Sequence, residues 1–326
     1  MKTSGWLRWV VAAALLMAVF WPAPANAQVP ARFYWKSLAG GNAVPLIVMS
    51  DSGNANPFDP AHTVSAGATF DATLALAGYG RTFALLDRAA LVAVLMPMGR
   101  LSGEATVSGK SSTMSANGFG DPMVEFNINL IGPKAQKSIP DALRYEPRLS
   151  IDLLADLALP LGEYDNTTPL NIGQNRWYGR IGFPIVAQLG SWIPGRRTTL
   201  EFIPAVWLFG TNNDFVGQTM TTAPSFQLDA HLTRDFAEQL WGSFDGVWYT
   251  GGKPTVNGVP GKALNNLAFG ITLGYTISDN LGFTVGYKST VGDRAPEDLR
   301  MDGFMVSLVY GWHPIVEGSK RLKSEK

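Results

Sequence analysis

Residues 121–130 read DPMVEFNINL. From Pro122 the even positions are Pro, Val, Phe, Ile and Leu; the odd positions from Asp121 are Asp, Met, Glu, Asn and Asn. Successive side chains of a strand point to opposite faces, so the segment has one apolar and one mostly polar face. Whether the apolar face meets a protein core or lipid decides the fold.

The alternation recurs. RLSIDLLADLAL (148–159) puts Leu149, Ile151, Leu153, Ala155, Leu157 and Leu159 on one side, against Arg148, Ser150, Asp152 and Asp156. PSFQLDAHLTR sets Phe226, Leu228, Ala230 and Leu232 against Ser225, Gln227, Asp229, His231 and Thr233. LAFGITLGYTI, LGFTVGYKSTV and GFMVSLVYGW repeat the pattern near the C-terminus. About eleven such segments follow Ala68, each close to the length of a tilted strand crossing a bilayer. A twelfth is required for an even count, and ARFYWKSL (31–38) is the candidate, followed by a long external excursion over residues 39–61.

Of the 326 residues only 16% are charged, against roughly 25% for an average soluble protein. The 35 glycines exceed the usual share of about 7%. Mean hydropathy is nevertheless +0.06, because apolar and polar residues cancel along each strand. The formal net charge of +0 gives no electrostatic reason to expect nucleic acid as a partner. The absence of cysteine excludes a lipidated cysteine anchor, a thiolate metal site and a disulfide scaffold. No Gly-rich phosphate loop or H-E-x-x-H motif occurs, so neither cofactor nor metal is expected.

The N-terminus has the parts of a secretory signal peptide: Lys2 and Arg8, an apolar run from Trp9 to Trp21, Pro22 and Pro24, and Ala25-Asn26-Ala27 as cleavage site. The expected division is a signal peptide over 1–27, a barrel over 28–313 (with 28–61 as its N-terminal segment) and a periplasmic tail over 314–326. Connections at 100–118, 161–175, 212–222, 251–264 and 292–301 are long and rich in Gly, Asn, Pro and Ser, whereas those at 86–88, 191–197, 235–237 and 278–280 are short. The linker 132–146 is intermediate. Long external loops alternating with tight periplasmic turns are the pattern of an outer-membrane barrel. Trp177, Tyr178, Trp192, Trp248, Tyr249, Tyr310 and Trp312 stand where interfacial girdles would be.

The expected fold is all-β: a transmembrane antiparallel up-and-down barrel of about 12 strands in the outer membrane of a Gram-negative cell. Open sheet edges in hydrocarbon would leave backbone groups unsatisfied, hence closure. Lipid would face Val124, Phe126, Ile128, Leu228, Phe269, Ile271 and Phe283. The lumen would carry Asp121, Glu125, Asn127, Asn129, Arg148, Asp152, Asp156, Arg180, Glu201, Asp229, His231, Asp245 and Lys288, with acids in excess, which hints at cation preference. Met123, Leu154, Trp207, Phe209, Met305 and Val309 share that face, a mixture suited to a small, partly apolar solute.

One constellation raises catalysis. If the strands joined at 235–237 pair with even register, His231 faces Ser243, with Asp229 and Asp245 alongside. The surrounding LWGSFDGVW is not a nucleophile motif, and the lumen is closed to lipid substrates, so no enzyme activity is expected.

The segments NANPFDPAH (54–62), GFGDPMVEF (118–126), LPLGEYDNTTPLNIGQNRW (159–177), LEFIPAVWLFGTNNDF (200–215) and the HLTRDF…LWGSFDGVWYTGG run (231–252) resemble the outer-membrane family named for the MetA pathway of phenol degradation. The resemblance implies a transmembrane barrel that transports small hydrophobic or aromatic compounds, with outer-membrane lipid as its surroundings. It brings no catalytic residues. The alternatives are a plugged barrel serving structure or surface interaction without transport, an outer-membrane enzyme, and a soluble periplasmic binding protein. Oligomeric state is not legible.

Overall fold

A computed structural model of the chain describes residues 30–107, 110–292 and 295–318. Residues 1–29, with the expected signal peptide and its expected cleavage site, and the tail beyond residue 318 lie outside the described residues. The strands in chain order are β1 (Asn42–Gly53), β2 (Ala68–Leu85), β3 (Arg88–Val107), β4 (Lys110–Phe119), β5 (Met123–Ile131), β6 (Leu149–Ala158), β7 (Tyr178–Gly182), β8 (Ile185–Gln188), β9 (Thr198–Phe209), β10 (Asn212–Phe215), β11 (Gln218–Thr222), β12 (Ser225–Asp235), β13 (Leu240–Gly251), β14 (Pro254–Val256), β15 (Val259–Pro260), β16 (Leu264–Ser278), β17 (Leu281–Val291) and β18 (Met301–Trp312). A short helix α1 (Ile139–Leu143), capped by Ser138, lies between β5 and β6.

Fourteen of these segments form one sheet that closes through β9–β12 and β1–β18. Two of its strands are each broken in two. β4 and β5 pair in succession with β3, and β7 and β8 in succession with β9. The breaks fall at Pro122 and Pro184, where proline has no N–H to give the ladder. Counted as continuous strands, the barrel has twelve, all antiparallel. The remaining strands, β10, β11, β14 and β15, form a separate sheet on the long-loop side.

Three expectations are corrected. The first strand is β1, inside what looked like an external excursion, and ARFYWKSL is no strand at all: it makes tight turns inside the barrel. Its aromatic and basic residues mimic strand alternation, but the charges seek buried carboxylates. Residues 100–118 are not a loop; β3 and β4 zip together from Met98↔Phe119 to Val107↔Lys110, because their Ser and Thr residues fit an exposed ladder. Of the girdle, Tyr178 and Tyr249 are buried inward, each one residue from an outward tryptophan (Trp177, Trp248), as strand parity demands. Trp192 packs on Trp35 with ring centroids 4.6 Å apart. The rim aromatics that do face outward include Tyr79 and Tyr310, both near Trp312.

The opening segment now has its answer. On β5, Glu125, Asn127 and Asn129 are buried inside, while Val124 is exposed and Phe126 and Ile128 are half-exposed on the outside. Phe269 and Ile271 on β16 are exposed, and Leu228 is half-buried between its neighbours. Phe283 is half-buried near the short-turn rim, where it also borders a cavity. Val44, Leu46 and Val48 of β1 continue the outer apolar surface to the seam. In water such a surface would aggregate; in a bilayer it is the required contact.

Placing a charge on this face is expected to oppose insertion. Ile271→Lys (58% exposed, mid-strand) should cost about 2–4 kcal/mol if near the midplane. Val259→Lys, more exposed at 72% but on the external sheet, should cost nearly nothing. Urea titration of the folded fraction in lipid vesicles, followed by heat-modifiable gel mobility, compares the two directly.

Candidate functional site

The barrel interior is occupied from both ends. At the short-turn end, residues 30–38 enter the lumen. Arg32 donates from Nη1 to Asp235 (2.6 Å) and from Nε to Thr233 (3.1 Å), while its backbone N–H donates to Glu201 (3.0 Å). Its guanidinium lies between the rings of Trp35 and Trp241, 4.3 and 4.4 Å from their centroids. Trp35 Nε1 donates to Glu201 at 2.8 Å, and Lys36 pairs with Asp152. Tyr34 is buried against Leu154 and Ile203. From below, the β5–β6 linker supports this plug: Gln136 bonds Lys36 and Ala39 through side chain and backbone. Burial holds the Lys36 ammonium below the usual lysine range, and Asp152 opposes that shift.

At the other end, residues 54–67, the β1–β2 connection, fold inward. Asn54 is fully buried and bonds the backbone of Asp298 and Arg300. Asp59 pairs with Arg176 at 3.1 Å, and Arg176 also donates to Thr222. Phe58 joins Leu101, Leu170 and Ile172 in an apolar partition across the barrel. His62 is buried edge-on to Tyr249, centroids 4.9 Å apart. Burial lowers the His62 pKa to about 4, against the pull of nearby Asp59 and with the help of Lys288.

Among the described residues, three cavities lie along and between these obstructions. One of about 210 Å³ near the outer mouth is lined by Phe70, Met114, Leu170 and Arg176 among others. Beyond the partition, a middle cavity of about 190 Å³ has an apolar wall from β1–β3 (Ile47, Met49, Leu74, Leu95) and a polar wall from β5, β7 and β12 (Glu125, Arg180, Gln227). A lower cavity of about 470 Å³ runs beside the plug towards the short-turn end. Middle and lower cavities share Pro30, Phe33, Pro45, Ile47 and Leu95.

The expected lumen residues are distributed as follows. Glu125, Asn127, Asn129, Asp152, Asp156, Arg180, Glu201, Asp229, His231, Asp245 and Lys288 are buried on the inner wall. Asp121 is buried at the break between β4 and β5, and its carboxylate accepts from the backbone of Gly162 and Gln174, so it fastens an outer loop. Arg148 is corrected: it is exposed, precedes β6, and has a left-handed backbone (φ 49°) that takes it out of the strand's alternation. Asn129 bonds Ser150 and Asp152; Asp156 accepts from Arg180 Nε at 2.6 Å. The excess of interior acids is answered by Arg32 and Lys36 of the plug, which alternation alone places on a strand. The sequence does hold a clue: two cations among aromatics just before a wall rich in carboxylates.

The hydroxyl–imidazole–acid constellation is also corrected. His231 faces Asp245 across the β12–β13 ladder, while Ser243 faces Thr233. Asp245 is the hub, bonded to His231 Nδ1 (2.7 Å), Ser243 Oγ (2.5 Å) and Thr272 Oγ1 (2.5 Å). The serine donates to the acid, not to the imidazole, so its oxygen is not placed for activation. Gly274 leaves room for the Trp241 ring that covers Arg32, since a Cβ at this position would fall 2.0 Å from that ring. Among the described residues no cluster of three or more His, Asp or Glu side chains could hold a metal.

A closed twelve-stranded sheet, an apolar exterior and a plugged polar interior define a transmembrane barrel of the outer-membrane type. Residues 51–308 match the family described as "Putative MetA-pathway of phenol degradation", and the chain belongs to it. No curated protein matches the chain. Among solved structures it is similar to the COG4313 outer membrane channel from Pseudomonas putida F1, at 15% identity and TM-score 0.69, over 88% of this chain and 100% of that one. Weaker likenesses, which carry no argument, are to the β domain of the Bordetella autotransporter Brka (8% identity, TM-score 0.47, 84% and 100% covered) and to a Pseudomonas aeruginosa FadL homologue (9%, 0.39, 83% and 89%). At such identities the likeness shows the fold alone.

Two outcomes test the obstructions. Lys36→Met leaves Asp152 buried without its cation, a loss of about 3–5 kcal/mol. The plug should then leave the lumen often enough for trypsin to cut after Arg32, whereas in the wild type the pairing of Arg32 with Asp235 should protect this site. Acidification should loosen the inner fold of residues 54–67. His62 takes up a proton more readily when released than when docked, so docking is strongest above pH 6.5 and weakens as pH falls from 6.5 towards 4. Hydrogen exchange of this loop at pH 7.5 and 4.5 reads the effect, and His62→Phe should abolish the difference.

Proposed function

We propose that the protein is a gated outer-membrane channel for passive passage of small hydrophobic or aromatic solutes. The observation that carries this reading is the shared apolar wall of the middle and lower cavities, which runs along β1–β3 past the plug. Membership of the family and the likeness to a Pseudomonas putida outer membrane channel support it. A solute would enter from the mouth, pass the Phe58–Ile172 partition, and leave beside residues 30–38. Each cavity is small, and two constrictions separate them, so this is no open, salt-filled pore. Modest binding in successive cavities suits passage, since the solute must also leave.

The dense ion pairing of the plug favours a second reading, a barrel sealed permanently for structure or surface interaction. Flux separates the two. In proteoliposomes of the refolded protein, aromatic solutes should equilibrate faster than in protein-free vesicles, and Lys36→Met should accelerate this several-fold. Leu95→Trp, at the junction of the cavities, should slow it several-fold while the barrel remains folded. Flux no greater than in empty vesicles, from both wild type and Lys36→Met, would establish the sealed barrel.

A further inference from the structure

The middle cavity has a head and a body. Its body is the apolar wall of β1–β3 with Met123 and Phe58. At about 190 Å³ it is slightly larger than an engineered apolar cavity of roughly 150 Å³ that holds benzene, so it suits one ring or an alkyl group of similar bulk.

The head is set by register. Glu125 lies opposite Asp156, Asp156 opposite Arg180, and Arg180 opposite Trp207, one continuous row across β5, β6, β7 and β9. Directly opposed residues have Cβ atoms about 5 Å apart, so the row presents adjacent functional groups. Arg180 donates through Nε to Asp156 and lies over the Trp207 ring, 5.1 Å from its centroid. Glu125 is only 2% exposed, yet its Oε1 has no hydrogen-bond partner, and no ion pair among the described residues uses it. Asp156 Oδ1 is likewise unpartnered. A buried acceptor without a partner costs about 1–3 kcal/mol, which a donating ligand recovers. Both Glu125 and Arg180 line the cavity.

From this geometry we infer that the middle cavity is a recognition site for a neutral hydroxyl carried on a compact apolar body, and that Glu125 is its specificity-determining residue. A hydroxyl can donate to Glu125 and accept from the Arg180 guanidinium at once. An isosteric hydrocarbon leaves Glu125 unsatisfied. A carboxylate meets Glu125 and Asp121 in the lining against a single guanidinium already engaged by Asp156, and an ammonium meets Arg180. The site therefore selects against aromatic acids as well as against bare hydrocarbons. This inference rests on the cavity being part of the solute path, and it concerns binding, which is measurable apart from passage.

The test uses the refolded full-length mature chain in lipid nanodiscs, with empty nanodiscs as reference, and fluorine NMR of three probes of nearly one shape: 4-fluorophenol, 4-fluorotoluene and 4-fluorobenzoate. The phenol is expected to bind about tenfold tighter than the toluene, as one hydrogen bond to an otherwise unsatisfied buried group allows, with the benzoate weakest. Glu125→Met should bring the phenol down to the level of the toluene and leave the toluene unchanged. Glu125→Gln, which keeps a carbonyl acceptor and adds amide donors, should retain part of the phenol preference and raise benzoate binding. Equal binding of phenol and toluene, benzoate binding as tight as phenol, or no binding above empty nanodiscs overturns the inference. If Glu125→Met does not fold, the Glu125→Gln result decides. Vesicle flux of the same probes separates the two readings: selective binding without flux removes the channel and leaves the site, whereas flux without selectivity does the reverse.

Discussion

Everything in this molecule depends on one seam. β1 and β18, the first and last strands of the barrel, pair without interruption from Asn42↔Trp312 to Gly53↔Met301. Hydrocarbon offers no water to an unpaired N–H or C=O, so a sheet with a free edge has no stable place in it. Closure at the seam sets the inner and outer faces of every strand between. An inward Asp51 on β1 and an inward Met305 on β18 belong to one surface only because the register is fixed. Closure also creates an interior that must be filled or solvated, and the chain fills much of it with its own segments.

How it is filled explains the charge distribution. A strand wall built for a water-filled pore can leave its acids in water. Here Asp152, Glu201 and Asp235 are buried, and each is matched by a group from residues 30–38: Lys36, Trp35 and Arg32 respectively. Taking these carboxylates out of water is tolerable because a cation or donor meets each one. The excess of acid on the wall is thus half of an intramolecular contact and weak evidence for ion selectivity. Glu125 differs, since its partner is missing and a cavity adjoins it.

The sequence is most legible where a two-residue period meets a uniform environment. DPMVEFNINL, LAFGITLGYTI and the other lipid-crossing strands show their faces because lipid accepts only apolar side chains on one side. The count of twelve rests on about eleven such segments and the even number that a closed barrel requires, which β1 supplies in place of ARFYWKSL. ARFYWKSL misleads because a plug that packs aromatics on one side and charges on the other produces the same alternation without a strand. β1 escapes notice although NAVPLIVMSDSG alternates inward and outward, since the neighbouring Gly, Asn and Pro residues resemble a loop. The strand residues of the site can be placed on the inner face by parity. Which of them are paired cannot be read that way, because Lys36 with Asp152 and Asp59 with Arg176 join positions more than a hundred residues apart. Arg148 departs from its expected face for a local reason: its left-handed backbone interrupts the alternation one residue before β6 begins.

The plug is joined to the wall it blocks. Residues 39–41 lead directly from it into β1, so a plug that leaves the lumen remains on a leash of a few residues at the same opening. A tether that short holds its end group at an effective concentration in the millimolar range. Return would then need no encounter from solution, and an opening would end by recapture. The barrel carries its own stopper, and an opening of the proposed channel would reset itself.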